Sequence, residues 1–492
     1  MASPILTRLV PFAALLLAGC GNADEGTFEI AWIGTEESLF APGNRLSAGA
    51  QHLRGATGWG LVTLDPQGDV TPALAERWII TSDGLSFIFR LREQTWPDGS
   101  EMDSASVRRA LEAAIAELDG TALGLDLVPV KDVRAMAGRV IEIRLSAPMP
   151  DLLNLLAQPE LVLLSPDGGT GPMVAERDGA AAHLRFRPPL ERGLPDMPDW
   201  QADVREISLT AADASTAMEL FDEGGVQLVL GGRIGQLPLV DTGPLSRGNI
   251  RIDPAIGLFG LRVRRERGLL ADAQGREALA MALDREGLLE RYNVGGWVST
   301  TRIVAPGLPG DGGQVAERWE NTDLAQLRAA AAARVRSSGA SSDSAAGAAT
   351  ISLWLGTEPG DEFLLRDLAA QFATIGLLLV RAERLQDADL VLVDEVARYA
   401  DARWFLNQFN CSLRRGLCSE DADYLVEVAQ ETLDPRERAG LLAEAETELI
   451  AANVYIPIGA PLRWSLVRGS VTGYSPNAYG FHPLPPMAEI PR

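Results

Sequence analysis

The stretch from Thr71 to Ile115, TPALAERWIITSDGLSFIFRLREQTWPDGSEMDSASVRRALEAAI, constrains this chain more than any other. Thr71 followed by Pro72 is a helix start, because a hydroxyl caps free N–H groups and proline fits the first helical position. A short helix over Pro72 to Trp78 is therefore expected. Ser82-Asp83-Gly84 is a turn, and beyond it Phe87, Phe89 and Leu91 alternate with Ile88, Arg90 and Arg92, the period of a strand with one buried face. Pro97-Asp98-Gly99 makes a second turn, with proline pre-setting one dihedral and glycine accepting the other. Asp103 or Ser104 then caps a helix whose Val107, Leu111, Ile115 and Leu118 fall on one stripe. VIEIRLS, Val140 to Ser146, alternates in the same way and is placed to pair with Phe87 to Arg92.

At 492 residues the chain is too long for one hydrophobic core, so two or three domains are expected. A formal charge of −23 argues against a nucleic-acid partner. It mildly favours a cationic or zwitterionic solute, although a role in solubility accounts for it as well. Histidines 52, 183 and 482 are scattered, with none at metal-ligand spacing. The sequence contains no G-x-S-x-G, H-E-x-x-H, G-x-x-x-x-G-K-[ST] or G-x-G-x-x-G pattern. Neither an enzyme nor a bound metal or cofactor is expected.

The first 20 residues, MASPILTRLVPFAALLLAGC, place Arg8 before an apolar run from Leu9 to Ala18. That run is too short for a bilayer core of about 30 Å and reads as a signal peptide. Leu17-Ala18-Gly19-Cys20 resembles a bacterial lipoprotein processing box. The resemblance implies a signal over 1–19, cleavage before Cys20, and a lipid on its thiol; an ordinary signal with an incidental cysteine is the alternative. Gly21 after that cysteine leans towards an outer-membrane address. The remaining two cysteines, Cys411 and Cys418, are expected to pair in an exported protein.

PALAERW, SDGLSFIFRLREQTWPDGS and the capped helix after them resemble the signature of the dipeptide and oligopeptide-binding solute-binding proteins (bacterial extracellular family 5) that serve ATP-binding-cassette importers. LVTLDPQGDV before this stretch follows the family's order. So do GTGP at Gly169 to Pro172, REALAMALDRE at Arg276 to Glu286, and the run from Tyr424 to YIPIGAP. The resemblance implies an α/β, two-lobed, periplasmic-binding-protein-like fold of class II, with a small accessory domain inserted in the first lobe. In family terms lobe I comprises 20–45, 151–255 and 465–492, the accessory domain 46–150, and lobe II 256–464.

Several local readings complete this picture. One helix is expected over Arg276 to Tyr292 and another over Leu364 to Ile375. Ala329 to Thr350, low in complexity, reads as a helix end followed by a flexible surface loop. ARYADARWFLNQF, Ala397 to Phe409, is similar to a family stretch that meets the ligand. The resemblance puts Asp401 where peptide-binding members hold the ligand's terminal ammonium, with Tyr399 beside it; a solvated loop aspartate is the alternative, and Trp404 is either an aromatic surface from a new place or core. GTGP at Gly169 to Pro172 reads as a tight turn first and, by the resemblance, as a ligand-facing loop with Gly171 and Met173 second, Met173 standing where a family tyrosine usually follows the proline. Asp394-Glu395 replaces the family's Gly-Trp, which points away from a generic peptide. The implied function is a lipid-anchored, monomeric binding protein of the cell envelope. It would capture a peptide or another small solute by lobe closure and hand it to a permease in the inner membrane. The alternative is a diverged member acting as an envelope sensor or interaction protein, recognisable by a cleft filled with its own side chains.

Overall fold

A computed structural model describes residues 26–240, 248–338 and 349–491. Its centre is a seven-stranded sheet that runs, edge to edge, through Met173–Asp178, Ala181–Phe186, Ile207–Ala212, Phe28–Ile33, Leu228–Arg233, Arg463–Val467 and Ile250–Asp253. Phe28–Ile33 lies parallel to both neighbours, pairing Phe28 with Ile207 and Ile30 with Leu228. A strand between two parallel partners is covered on both faces, which is why FEIAWI carries apolar residues at nearly every position. Phe28, Ile30 and Trp32 pack with Met173, Leu184 and Leu209 on one side, and Ala31 faces a second core on the other.

A second sheet of five strands has the order Leu377–Arg381, Ala349–Trp354, Leu390–Val396, Gly257–Val263 and Tyr455–Gly459. The chain passes between the two sheets twice, from Ile250–Asp253 to Gly257–Val263 and from Tyr455–Gly459 to Arg463–Val467. Two adjacent short crossovers are the geometry of a hinge between two bodies. Helices Leu324–Ser337, Pro359–Ala373, Glu420–Glu431 and Pro435–Ala452 belong to the part of the chain between these crossovers.

A four-stranded antiparallel sheet, Ala75–Ile80, Ser86–Leu91, Val140–Leu145 and Val130–Met136, stands apart from both. The pairing of Phe87 with Ile143 and Phe89 with Ile141 is the one the alternating patterns suggested. Asp103 caps the helix Ser104–Ala116, whose Val107 and Leu111 are buried with Phe87 and Phe89 in one core. That core continues into the Ala402–Asn407 and Glu420–Glu431 helices through Phe405, Ala422 and Val426. The small sheet is thus packed to the second body as well as inserted in the first.

Three local expectations fail. Pro72 to Trp78 is not a helix; Val70–Pro72 and Ala75–Ile80 are strands, the latter pairing Trp78 with Phe89 and Ile79 with Ile88 across the Ser82–Gly84 turn. Trp78, Ile79 and Ile80 favour an extended chain, and the neighbouring strand supplies the hydrogen bonds that outweigh a local cap. The expected single helix over Arg276 to Tyr292 is two, Ala273–Ala282 and Arg285–Glu290. Asp284 breaks it, because its Oδ1 accepts the Gly287 N–H at 3.0 Å and its own N–H donates to Gln371 Oε1 at 2.6 Å. The helix expected to begin at Leu364 begins at Pro359, with Glu358 and Asp361 forming a reciprocal cap. The Leu324–Ser337 helix matches the first part of the low-complexity segment, and the loop expected after it lies at 339–348, outside the described residues.

Candidate ligand-binding cleft

A cavity of about 500 Å³ opens between the two large sheets and the small one. Its first wall is the segment Asn44–Ala48, which leads into the helix Ala48–Thr57 with Ser47 as cap. Its floor is Arg233, the last residue of Leu228–Arg233, and Arg463, the first of Arg463–Val467. Ligands of open α/β sheets settle at the carboxyl ends of parallel strands, where backbone direction changes and side chains can turn inward; Arg233 occupies such an end. The opposite wall consists of Asp394, Glu395 and Val396, then Arg398, Trp404, Leu413 and Arg415. Leu118, Ala122 and Leu123 close it from the side of the small sheet, and Phe481 from the C-terminal segment.

The charged groups of this cavity are mostly committed to one another. Arg463 donates to Asp394 Oδ1 at 2.7 Å and to the Asp394 carbonyl at 3.0 Å, which joins the seven-stranded sheet to the five-stranded one. Arg398 pairs with Glu160, and its carbonyl accepts the Gln158 side-chain amide at 2.9 Å. Arg415 donates to Gln408 at 3.0 Å and lies 3.9 Å from Glu395. Asp126 is fully buried and accepts the Asn407 amide at 2.7 Å. Burial pushes its carboxyl up to about 7, against the pull of Arg403 and of hydrogen bonds from Asn407 and Tyr399. His52 also borders the cavity, but burial pushes its pKa down to about 3. Its Nδ1–H donates to the Ala48 carbonyl at 2.7 Å and its Nε2 accepts the His482 N–H at 3.0 Å, so it is a neutral structural group.

The residues singled out from sequence are not brought together here. Trp404 does line the cavity, its ring edge-on to Phe405 at 5.0 Å. Asp401 does not. Its Oδ1 accepts the Arg403 N–H at 2.8 Å and so caps the helix Ala402–Asn407, and it borders a separate small hollow with Asp151, Arg403 and Arg438. Tyr399 is fully buried, its hydroxyl accepting the Arg403 Nε–H at 3.1 Å. Met173 is likewise fully buried, in the core beside Phe28 and Leu184. Gly171 packs against the end of the Ala48–Thr57 helix, where a Cβ would lie 2.4 Å from the Gly58 nitrogen; closeness of backbones, not access to ligand, explains this glycine. The arginines at 45, 233, 398 and 463 escaped sequence reasoning. The only available signal was Arg233 at the end of the apolar run VQLVLGG, a charge where a buried strand stops.

Asp151 and Asp401 face each other in the small hollow, hydrogen-bonded carboxyl to carboxyl. Burial first, and the Asp401 charge second, raise Asp151 far above the usual carboxylate range. A carboxyl raised in the folded state stabilises below its unfolded pKa near 4, and that contribution is lost as pH rises through the folded value. Thermal stability should therefore fall between about pH 4 and pH 7 and level off above, with buried Asp126, pushed up to about 7, adding to the slope. Asp151→Asn should flatten part of that slope and gain on the order of 1 kcal/mol at pH 8, after allowing for screening of a half-buried pair. Melting curves of both proteins at pH 5.5 and 8 measure it, and identical slopes would refute the assignment.

Cys411 and Cys418 are joined in a disulfide with Cα atoms 5.2 Å apart. The closed loop carries Leu413 and Arg415 into the cavity wall. Cross-linking a loop this short contributes roughly 2.5 kcal/mol in the chain-entropy account. The Cys411→Ser, Cys418→Ser variant should lose about that much in denaturant titration, and equal midpoints with and without the bond would contradict it.

The matching family model, bacterial extracellular solute-binding proteins, family 5 Middle, covers residues 69–409. The chain belongs to this family. Among curated relatives, this solute-binding protein is 23% identical over 480 residues to the probable di/tripeptide-binding protein 5 of Pseudomonas aeruginosa, covering 84% of this chain and 86% of that one. Among solved structures it resembles OppA of Haemophilus influenzae in complex with RPPGFSPFR, with TM-score 0.80, 18% identity and coverage of 94% and 99%. It also resembles the murein tripeptide binding protein MppA of Escherichia coli, with TM-score 0.79, 16% identity and coverage of 96% and 99%. Against the unliganded open form of MppA the TM-score is 0.64, at 16% identity and coverage of 95% and 98%. The Arg463–Asp394 and Arg398–Glu160 ion pairs cross the cavity. The fold is thus the two-lobed, class II arrangement.

Proposed function

We propose that this protein captures a small polar solute or short peptide in the cleft by lobe closure and delivers it to a permease of the ATP-binding-cassette class. The observation that carries this reading is a cavity of about 500 Å³ bounded by both sheets and bridged by the Arg463–Asp394 and Arg398–Glu160 pairs. That volume lies in the range of small-ligand sites. A ligand touching both walls stabilises the closed state only through its greater affinity for that state, and closure is what a permease would recognise. The relatives named above, described as binding peptides, support a peptide or a solute of that size. An open cavity, not one plugged by its own side chains, favours transport over the sensor reading.

Membrane attachment through a lipid on Cys20, in the cell envelope of a monomeric protein, belongs to the same proposal. Residues 1–25, which carry that signal, lie outside the described ones. Among the described residues no helix is long and apolar enough to cross a membrane. Native mass spectrometry of the gently purified protein tests the solute reading. An adduct of a few hundred daltons, lost on denaturation, is expected. A bare mass, joined to an unshifted melting point with peptide, organic-acid, amine and sugar mixtures, would refute it.

A further inference from the structure

The cleft carries a charge surplus that runs against the whole chain. The protein is strongly acidic, with a formal charge of −23. Yet five arginines line the cavity against four acids, and one of those acids, Asp126, is buried and titrates near 7. Glu160, Asp394 and Glu395 each already face an arginine. What is left over is cationic: among the described residues neither Arg233 nor Arg45 has a side-chain hydrogen bond or ion pair, and both are open to the cavity solvent.

Arg233 is the more telling of the two. Its backbone is fixed, the N–H donating to Gln236 at 3.1 Å and the carbonyl accepting the Trp464 indole at 2.8 Å, so the guanidinium is delivered to the floor from a rigid strand end. Crowding by protein, with Arg463 nearby, holds its pKa below the ordinary arginine value. Asp394, Glu395 and Asp361 pull the other way, but none of them bonds to the guanidinium, and its free fork of donors matches carboxylate and phosphate oxygens. Across from it, the residues leading into the Ala48–Thr57 helix add the positive end of a ten-residue helix with no acid in its first turn. A free ammonium group, by contrast, would have to compete with the arginines that Glu160, Asp394 and Glu395 already face, the spare oxygens of Asp126 and Glu160 being buried.

We infer that the cleft is built for a small solute bearing at least one oxyanion, carboxylate or phosphate, with Arg233 as its principal anchor and Arg45 as a second. This refines the proposed solute capture and rests on it. It also reverses the expectation of a cationic ligand drawn from net charge, since the surface and the cavity have opposite signs.

Calorimetric titration of the whole protein with four probes tests the inference. N-acetyl-aspartyl-glutamate offers carboxylates without an amine, glycerol 2-phosphate offers phosphate, N-acetyl-dialanine amide is neutral, and lysyl-lysine amide is cationic. Binding of either acidic probe in preference to the last two, weakened tenfold or more by Arg233→Gln and less by Arg233→Lys, is the expected result. Which acidic probe binds separates carboxylate from phosphate. Melting curves of both variants verify folding, and Arg45→Gln, on an exposed segment, provides a second variant should Arg233→Gln fail to fold. Binding of the neutral or cationic probe with an affinity that neither arginine variant changes would overturn the oxyanion assignment and leave solute capture standing. No binding by any probe, with a bare native mass, would overturn both.

Discussion

Arg302→Met is expected to cost about 3–5 kcal/mol of stability, a large share of what folded domains possess. Arg302 is buried beneath the Thr300–Gly313 loop and holds two acids at once. It donates to Glu446 at 2.8 and 3.3 Å, from the Pro435–Ala452 helix, and to Asp311 at 2.9 and 3.3 Å. Glu446 also accepts the N–H groups of Ile303 and Val304 at 3.0 Å, and Asp311 those of Gly307 and Gly313. Every arm of the network therefore ends on a partner, which is the condition under which a buried ion cluster is tolerated. Methionine fills similar space but leaves two buried carboxylates without their cation. Burial opposes ionisation of Asp311, yet Arg302 and the two glycine N–H groups hold its pKa below the usual value. Its contribution is present above about pH 4 and is lost as pH falls through the depressed value. Urea unfolding followed by tryptophan fluorescence measures the loss; a change under about 1 kcal/mol would show the cluster to be incidental.

The second large effect concerns closure. Arg463→Met should shift the protein towards an open state, because the Arg463–Asp394 pair joins the two sheets and both side chains are about seven-eighths buried, at 12% and 13% exposed. Removing one member of such a pair costs on the order of 2–5 kcal/mol. Even 2 kcal/mol corresponds to about a thirtyfold change in the ratio of closed to open molecules. Small-angle X-ray scattering should record a larger radius of gyration, and solute affinity should fall in proportion to the lost closed fraction. Asp394→Asn should do the same more weakly, and the exchanged pair Arg463→Asp with Asp394→Arg should restore part of the closure. Unchanged scattering from Arg463→Met would mean that the pair follows closure and does not drive it.

Much of the scaffold could be read from residue patterns because the forces involved are local or periodic. Alternation in SFIFRL and VIEIRL defined two strands and their pairing, and Asp103 marked a helix start by its capping oxygen. The ordered family motifs gave the two-lobed class, and the matching family model agrees. Where the reading failed, a distant partner had overruled a local signal: Thr71-Pro72 suggested a helix, but the strand at Phe87–Phe89 draws Trp78–Ile80 into a ladder.

The cleft was far less legible. Asp401 looked like a ligand group from its neighbours in sequence, yet its carboxylate turns back to cap its own helix and share a hollow with Asp151. Sequence determined the elements, the lobe class and the net acidity of the chain, since each depends on composition or short-range order. Only the tertiary structure decided which charges face the cavity, because residues as far apart as Arg45, Arg233 and Arg398 meet there. Whether an arginine is neutralised or left free for a solute depends on which acid the fold places beside it.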